Sequence, residues 1–239
     1  MTIDYINSQT STEHDSYDLG LRKYLISVYQ YMAFALSLTA LVAMGVSNSQ
    51  EFMYAIHGSG LKWIITFAPL GMAFYMGNRL MSMSQTSAQT CLMIFAALMG
   101  LSLSSIFLVF TGSSIARIFF ITASTFAAMS IYGNNTKKDL SSISSFLMMG
   151  ATGLLISGIV NVFLKSSGLY FVTSIIGVIV FTLFTVYDTQ RIKGLYYQSH
   201  GSGKIASKLA VYGSLTLYMD FINLFIFLLQ LLGVRRNDG

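Results

Sequence analysis

Seven stretches of this chain are each long and apolar enough to cross a lipid bilayer, and short polar breaks separate them. A hydrocarbon core about 30 Å thick needs roughly 20 apolar residues in a helix. The blocks that meet this test are residues 24–46, 62–81, 88–110, 115–133, 143–164, 169–188 and 209–233. A water-soluble chain of 239 residues could bury a good core, yet it would still need a polar surface. Only 10% of these residues are charged, against about 25% in soluble domains. The fold class that follows is an all-α integral membrane protein, a seven-transmembrane-helix bundle. The bundle occupies 22–234, after a flexible polar tail (1–21) and before a short C-terminal tail (235–239).

The net charge of +5 raises the question of nucleic acid, but the basic residues are scattered at the ends of apolar blocks and form no stripe. Residues 1–21 lack the basic and apolar regions of a cleaved signal peptide, so the first block acts as an uncleaved first helix. The single Cys91 excludes an intrachain disulfide. His14, His57 and His200 fall in the tail or in loops, which argues against a histidine-built metal site. Pro69 is expected to kink the second helix or mark a local break in it. The run Gly100 to Ser105 suits close helix packing, with pore lining as the sharper alternative.

Orientation follows from the positive charges. With the N-terminus in the cytoplasm, nine basic residues lie inside (Arg22, Lys23, Arg79, Lys137, Lys138, Arg191, Lys193, Lys204, Lys208) and five outside (Lys62, Arg117, Lys165, Arg235, Arg236). The arginines at 235 and 236 pull the other way.

The acids locate the chemistry. Seven of the nine lie in tails or loops, leaving Asp188 at the end of the sixth block and Asp220 near the middle of the seventh. A carboxylate at the centre of a spanning helix costs about 2.5–3.5 kcal/mol on insertion scales, and such residues face the bundle interior. Brought together in a low dielectric, two carboxylates cannot both ionise cheaply, which makes a proton-responsive pair. Each residue has a plainer alternative: Asp188 as an acid on a wet helix end beside Arg191, Asp220 as a hydrogen-bond partner of Asn223 or Tyr218. Arg79 is the natural cation for Asp188, unless its stem snorkels to the headgroups. There is no nucleophile–base motif, phosphate loop or intramembrane histidine. An intramembrane aspartyl protease would carry a glycine before its second aspartate, where this chain reads YMDFIN. The protein is therefore read as no enzyme.

The segments VYDTQRIKG and LYMDFINLFIFLLQLLG form a pair that resembles the signature of the Bax inhibitor-1 family, also called the transmembrane Bax inhibitor motif or YccA-like family. RKYLISVYQYMAFALSLTALVA, MGLSLSSIFLVFTG and GNNTKKDLSS resemble its bacterial members, and the likeness covers roughly residues 20–234. The resemblance implies seven helices with the last one central. It implies a pH-sensitive calcium leak channel whose sensor is a di-aspartyl pair, here Asp188 and Asp220, with Arg79 as the arginine that changes partner. The same two carboxylates would meet calcium weakly, as a permeant ion, and no cofactor is implied. The partners expected are the lipid bilayer and calcium, with no nucleic acid. The alternative is a non-transporting regulator of membrane-protein partners such as a membrane-bound protease. The expected location is a bacterial inner membrane, with a cytoplasmic N-terminus.

Overall fold

A computed structural model describes the backbone of residues 2–199 and 203–236, and the side chains of 19–199, 203 and 205–236. The side chains of His14, Lys204 and the acids of the N-terminal tail, and the whole of His200 and the last three residues, lie outside that description. Nine α-helices follow one another among the described residues: α1 (Thr2–Ser47), α2 (Gln50–His57), α3 (Leu61–Arg79), α4 (Gln85–Leu103), α5 (Ile106–Val109), α6 (Gly112–Asn135), α7 (Ser144–Leu164), α8 (Ser167–Gln198) and α9 (Gly203–Leu232). The all-helical class follows from the solvent: hydrocarbon satisfies no backbone N–H or C=O, so each must be paired within its own helix.

Six segments are long and apolar enough to span: 19–47, 85–109, 112–135, 141–164, 167–198 and 205–232. The expected seven are thus six by this measure. The exception is α3, whose 19 residues include Lys62, Trp63, Pro69, Asn78 and Arg79 and fall short of this test. Pro69 does not break α3, which runs unbroken across it. The chain is a multi-pass membrane protein. Its outer faces agree, since Phe163 is 81% and Met149 69% exposed, surfaces that only lipid would cover.

Helix boundaries depart from the apolar blocks where charged residues stop a block without stopping a helix. The backbone of α1 is helical from Thr2, through the stretch expected as a tail, and α8 continues ten residues past Asp188. The extension of α8 is held by packing. Ile192 and Tyr196 are buried on it, the Tyr196 ring lies 5.1 Å from that of Tyr24 in α1, and the Tyr24 hydroxyl donates to the Ile192 carbonyl at 3.3 Å. The short α2 lay unseen in a polar break. Ser49 caps it by accepting from the Phe52 N–H, and Glu51 lies in its first turn.

At the centre stands α9, packed against α1, α4, α6 and α8. Its spanning window is 56% buried, against at most 28% for any other span. One polar knot ties three of these helices together. The Thr39 hydroxyl lies 2.9 Å from both the Ala35 and Ala96 carbonyls and 2.7 Å from the Tyr218 hydroxyl. Thr39 has one proton, which the two carbonyls share, so Tyr218 is the donor in the third bond. Beside it Gly100 lets α1 and α4 meet: an added Cβ would stand 2.7 Å from the Thr39 carbonyl oxygen. The helix ends soon afterwards, where Ser104 and Ser105 donate back to the Leu101 and Ser102 carbonyls. The small residues of this run therefore serve packing. At the far end of α9 the chain closes on the α5–α6 turn. Thr111 N–H donates to the Val234 carbonyl, Arg236 N–H to the Val109 carbonyl, and Val234 N–H to the Ser114 hydroxyl.

Tyr218→Phe is expected to destabilise the bundle by about 0.6–1.7 kcal/mol, the range for interhelical hydrogen bonds in membranes, measured by denaturant unfolding in micelles. Gly133→Ala should cost about 1–3 kcal/mol by overpacking, because its Cβ would meet the Val186 carbonyl oxygen at 2.5 Å across the α6–α8 contact. A third expectation concerns pH. His57 donates from Nε2 to the Ser104 hydroxyl at 2.8 Å, and burial holds its imidazole below the usual 6.5. The neutral ring is favoured in the folded state, so its contribution is present above 6.5 and is lost as pH falls below that value. His57→Gln should flatten the acid side of the stability profile.

Candidate functional site

The register of α8 against α9 brings the two internal acids together. The helices run antiparallel, with Gly213 against Ile192, Gly177 against the Phe227 ring, and the Ser174 hydroxyl donating to Gln230 Oε1 at 3.2 Å. Gly177 is required for that approach, since an added Cβ would stand 2.4 Å from the Phe227 ring. This pairing sets Asp220 opposite the turn that precedes Asp188, and the two carboxyl groups lie close enough to interact. Both residues are buried, at 5% and 4% exposure, so Asp188 does not stand on a wet helix end. Its depth follows from the unexpected length of α8.

A hydrogen bond between two carboxyl groups needs one proton, which one group donates and the other accepts. Asp188 Oδ1 and Asp220 Oδ2 are buried and have no hydrogen-bond partner among the described residues. The nearest cation is on the same helix: Arg191 Nη1 lies 3.7 Å from Asp188 Oδ1, an ion pair too long for a hydrogen bond. Asn223 and Tyr218, the plainer partners for Asp220, are engaged elsewhere, Asn223 Nδ2 with the Met219 carbonyl and Tyr218 with Thr39.

Arg79 is not brought to the pair. It is exposed at the last residue of α3, and no ion pair joins it to an acid among the described residues. Arg191, three residues from Asp188 and half exposed, occupies the position beside the carboxylate. The i, i+3 spacing in VYDTQR was the signal for it, legible once the helix is known to continue.

A hydroxyl-rich seam lies between α6 and α8. The Ser130 and Thr189 hydroxyls are 3.2 Å apart, and Thr189 donates to the Thr185 carbonyl at 2.7 Å. Nearby, Lys193 Nζ donates to the Asn134 carbonyl at 3.1 Å, and Asn134 Oδ1 is buried without a hydrogen-bond partner among the described residues. For a metal, the described residues hold no group of three or more histidine, cysteine or acidic side chains. The pair alone offers carboxylate oxygens, a donor type that suits hard cations.

Comparison with known proteins agrees with this architecture. The profile of the family described as "Inhibitor of apoptosis-promoting Bax1" matches residues 21–237. An uncharacterized protein of Rickettsia prowazekii is 45% identical over 236 residues, which cover 98% of this chain and all of that protein. An uncharacterized protein of Borreliella burgdorferi is 39% identical, over 90% of this chain and 94% of its own length. The inner membrane protein YbhL of Escherichia coli K12 is 40% identical, over 91% of this chain and 94% of its own. A match over nearly the whole length, carried by a multi-helix membrane bundle, places this chain in the Bax inhibitor-1 family.

Proposed function

We propose that this protein is a proton-gated cation leak, with calcium the favoured ion, latched by Asp188 and Asp220. The observation that supports this reading is one buried carboxyl on each of two adjoining helices, the two close enough to interact, each with an oxygen left without a hydrogen bond among the described residues. With one proton between them, the carboxyls hold α8 against α9. Without it, two like charges face each other where water does not screen them, and the contact becomes repulsive. Arg191 stands ready to hold Asp188 in its charged form. Arg79 takes that role only in a state where α3 has moved, which makes it the second arm of a two-state switch. The released carboxylates then attract a hard cation. Two acids form a weak site, which suits passage better than storage.

The sign is fixed by the chemistry: acid closes the latch and base opens it. Calcium flux into liposomes should rise as pH rises. Asp188→Asn and Asp220→Asn should each abolish that dependence, and a pH-dependent flux unchanged in both would sink the reading. Arg79→Gln and Arg191→Gln, run in the same assay, separate the two cations: the one that matters shifts the pH midpoint. Regulation of a membrane-bound protease is the competing reading. It predicts that deleting residues 1–20 removes the partner effect, whereas a leak keeps conducting.

The same proposal carries a topology: seven crossings, with α3 as the marginal one, in a bacterial inner membrane with the N-terminus in the cytoplasm. YbhL, which carries that location in its name, supports the membrane assigned. Reporter fusions check the count. Alkaline phosphatase fused after Gly239 should be active and green fluorescent protein there dark, and the reverse result would mean six crossings.

A further inference from the structure

The seam between α1 and α6 is left open in the bundle. Both helices pack on α9, but they do not pack along each other, and two cavities open between them. One, of about 370 Å³, is almost wholly apolar and lies at the α5–α6 end, with Ala43, Ala116 and Phe225 in its walls. The other, of about 620 Å³, lies at the opposite end and is built differently. Its lower walls are Leu25, Tyr29, Phe126 and Ala127, while Arg22, Lys193 and Asn134 line its rim.

That rim carries two positive charges and an unanswered acceptor. Neither Arg22 nor Lys193 is paired with an acid among the described residues, and Lys193 spends one of its three donors on the Asn134 carbonyl. Asn134 Oδ1 is buried and has no hydrogen-bond donor among the described residues. Lys137 and Lys138 follow in the exposed turn after α6 and add to the positive field. A basic rim above an apolar groove, between spanning helices and at the bilayer boundary, is the chemistry that recognises an anionic lipid.

We propose that this cavity is a binding site for an anionic glycerophospholipid of the phosphatidylglycerol type. Its phosphodiester accepts from Arg22 and Lys193, a headgroup hydroxyl donates to Asn134 Oδ1, and one acyl chain lies against Leu25, Tyr29 and Phe126. The lipid fills the gap that α1 and α6 leave between them. The inference stands apart from the latch, because none of its residues is Asp188 or Asp220.

The test is native mass spectrometry of the full chain from detergent, with thermal unfolding read in parallel, using phosphatidylglycerol, phosphatidylcholine and inorganic phosphate as probes. Phosphatidylglycerol should be retained and should raise the midpoint, whereas phosphatidylcholine and phosphate should do neither. The double variant Arg22→Gln, Lys193→Gln should bind phosphatidylglycerol about tenfold more weakly or worse. Ala127→Phe, which fills the groove and keeps the charges, should displace it. Lys62→Gln removes a charge outside the cavity and should leave binding intact. Should the double variant not fold, Lys193→Gln alone is read the same way. Equal stabilisation by phosphatidylcholine would show an apolar groove without headgroup recognition, and equal stabilisation by phosphate a free-anion site. Either result, or undiminished binding by the charge variants, overturns the proposal.

Discussion

Everything in this molecule depends on how α9 is covered. The bilayer forces each segment to be a helix, but it does not drive helices together, because lipid tails are as apolar as leucine. Association must come from close packing and from polar groups with no other way to be satisfied. The contacts of α9 show both. Gly177 and Gly213 admit side chains of the facing helix, while Tyr218, Gln230 and Asp220 each reach a polar group on a neighbour. Tyr218 and Gln230 meet neutral partners and read as construction. Asp220 meets a second acid, an arrangement that construction does not require.

Much of the fold was legible because hydropathy and hydrogen-bonding need act on the same stretch of chain. The six strongest spans match their apolar blocks in order and approximate extent. What escaped was wherever a helix outlived its apolar block. VYDTQRIKGLYYQ reads as a wet exit from the membrane, since Gln190, Arg191 and Lys193 interrupt the run. In the fold the same turns carry a buried stripe of Ile192 and Tyr196, and the stripe decides the matter. A window average cannot see a stripe that recurs every three or four residues among charges. At α3 the apolar block is the marginal one, because charges and a tryptophan crowd its ends.

The site was legible to a similar depth. Counting acids isolates Asp188 and Asp220, because burial of a carboxylate is costly enough to be informative by itself. Their meeting is a tertiary fact that no spacing in the chain encodes. The choice of cation is the clearest case. Arg79 lies at the same end of the sequence-derived bundle as Asp188, yet proximity along the membrane normal says nothing about position around the bundle. Arg191 needed no tertiary knowledge, only the knowledge that α8 does not end. The lipid-facing cavity was beyond reach altogether, since it is made by two helices failing to touch.

The closure of the chain past α9 also limits how this bundle can move. Three hydrogen bonds fasten residues 234–236 to residues 109–114, so one end of the central helix is clamped to the α5–α6 turn. A force applied at Asp220, partway along the helix, therefore acts on a lever with a fixed fulcrum. The helix can swing or flex about that end, but it cannot slide along its axis without breaking the clamp. Displacement grows with distance from the fulcrum, so the largest motion belongs to the end of α9 that starts at Gly203, and the α5–α6 end stays nearly still.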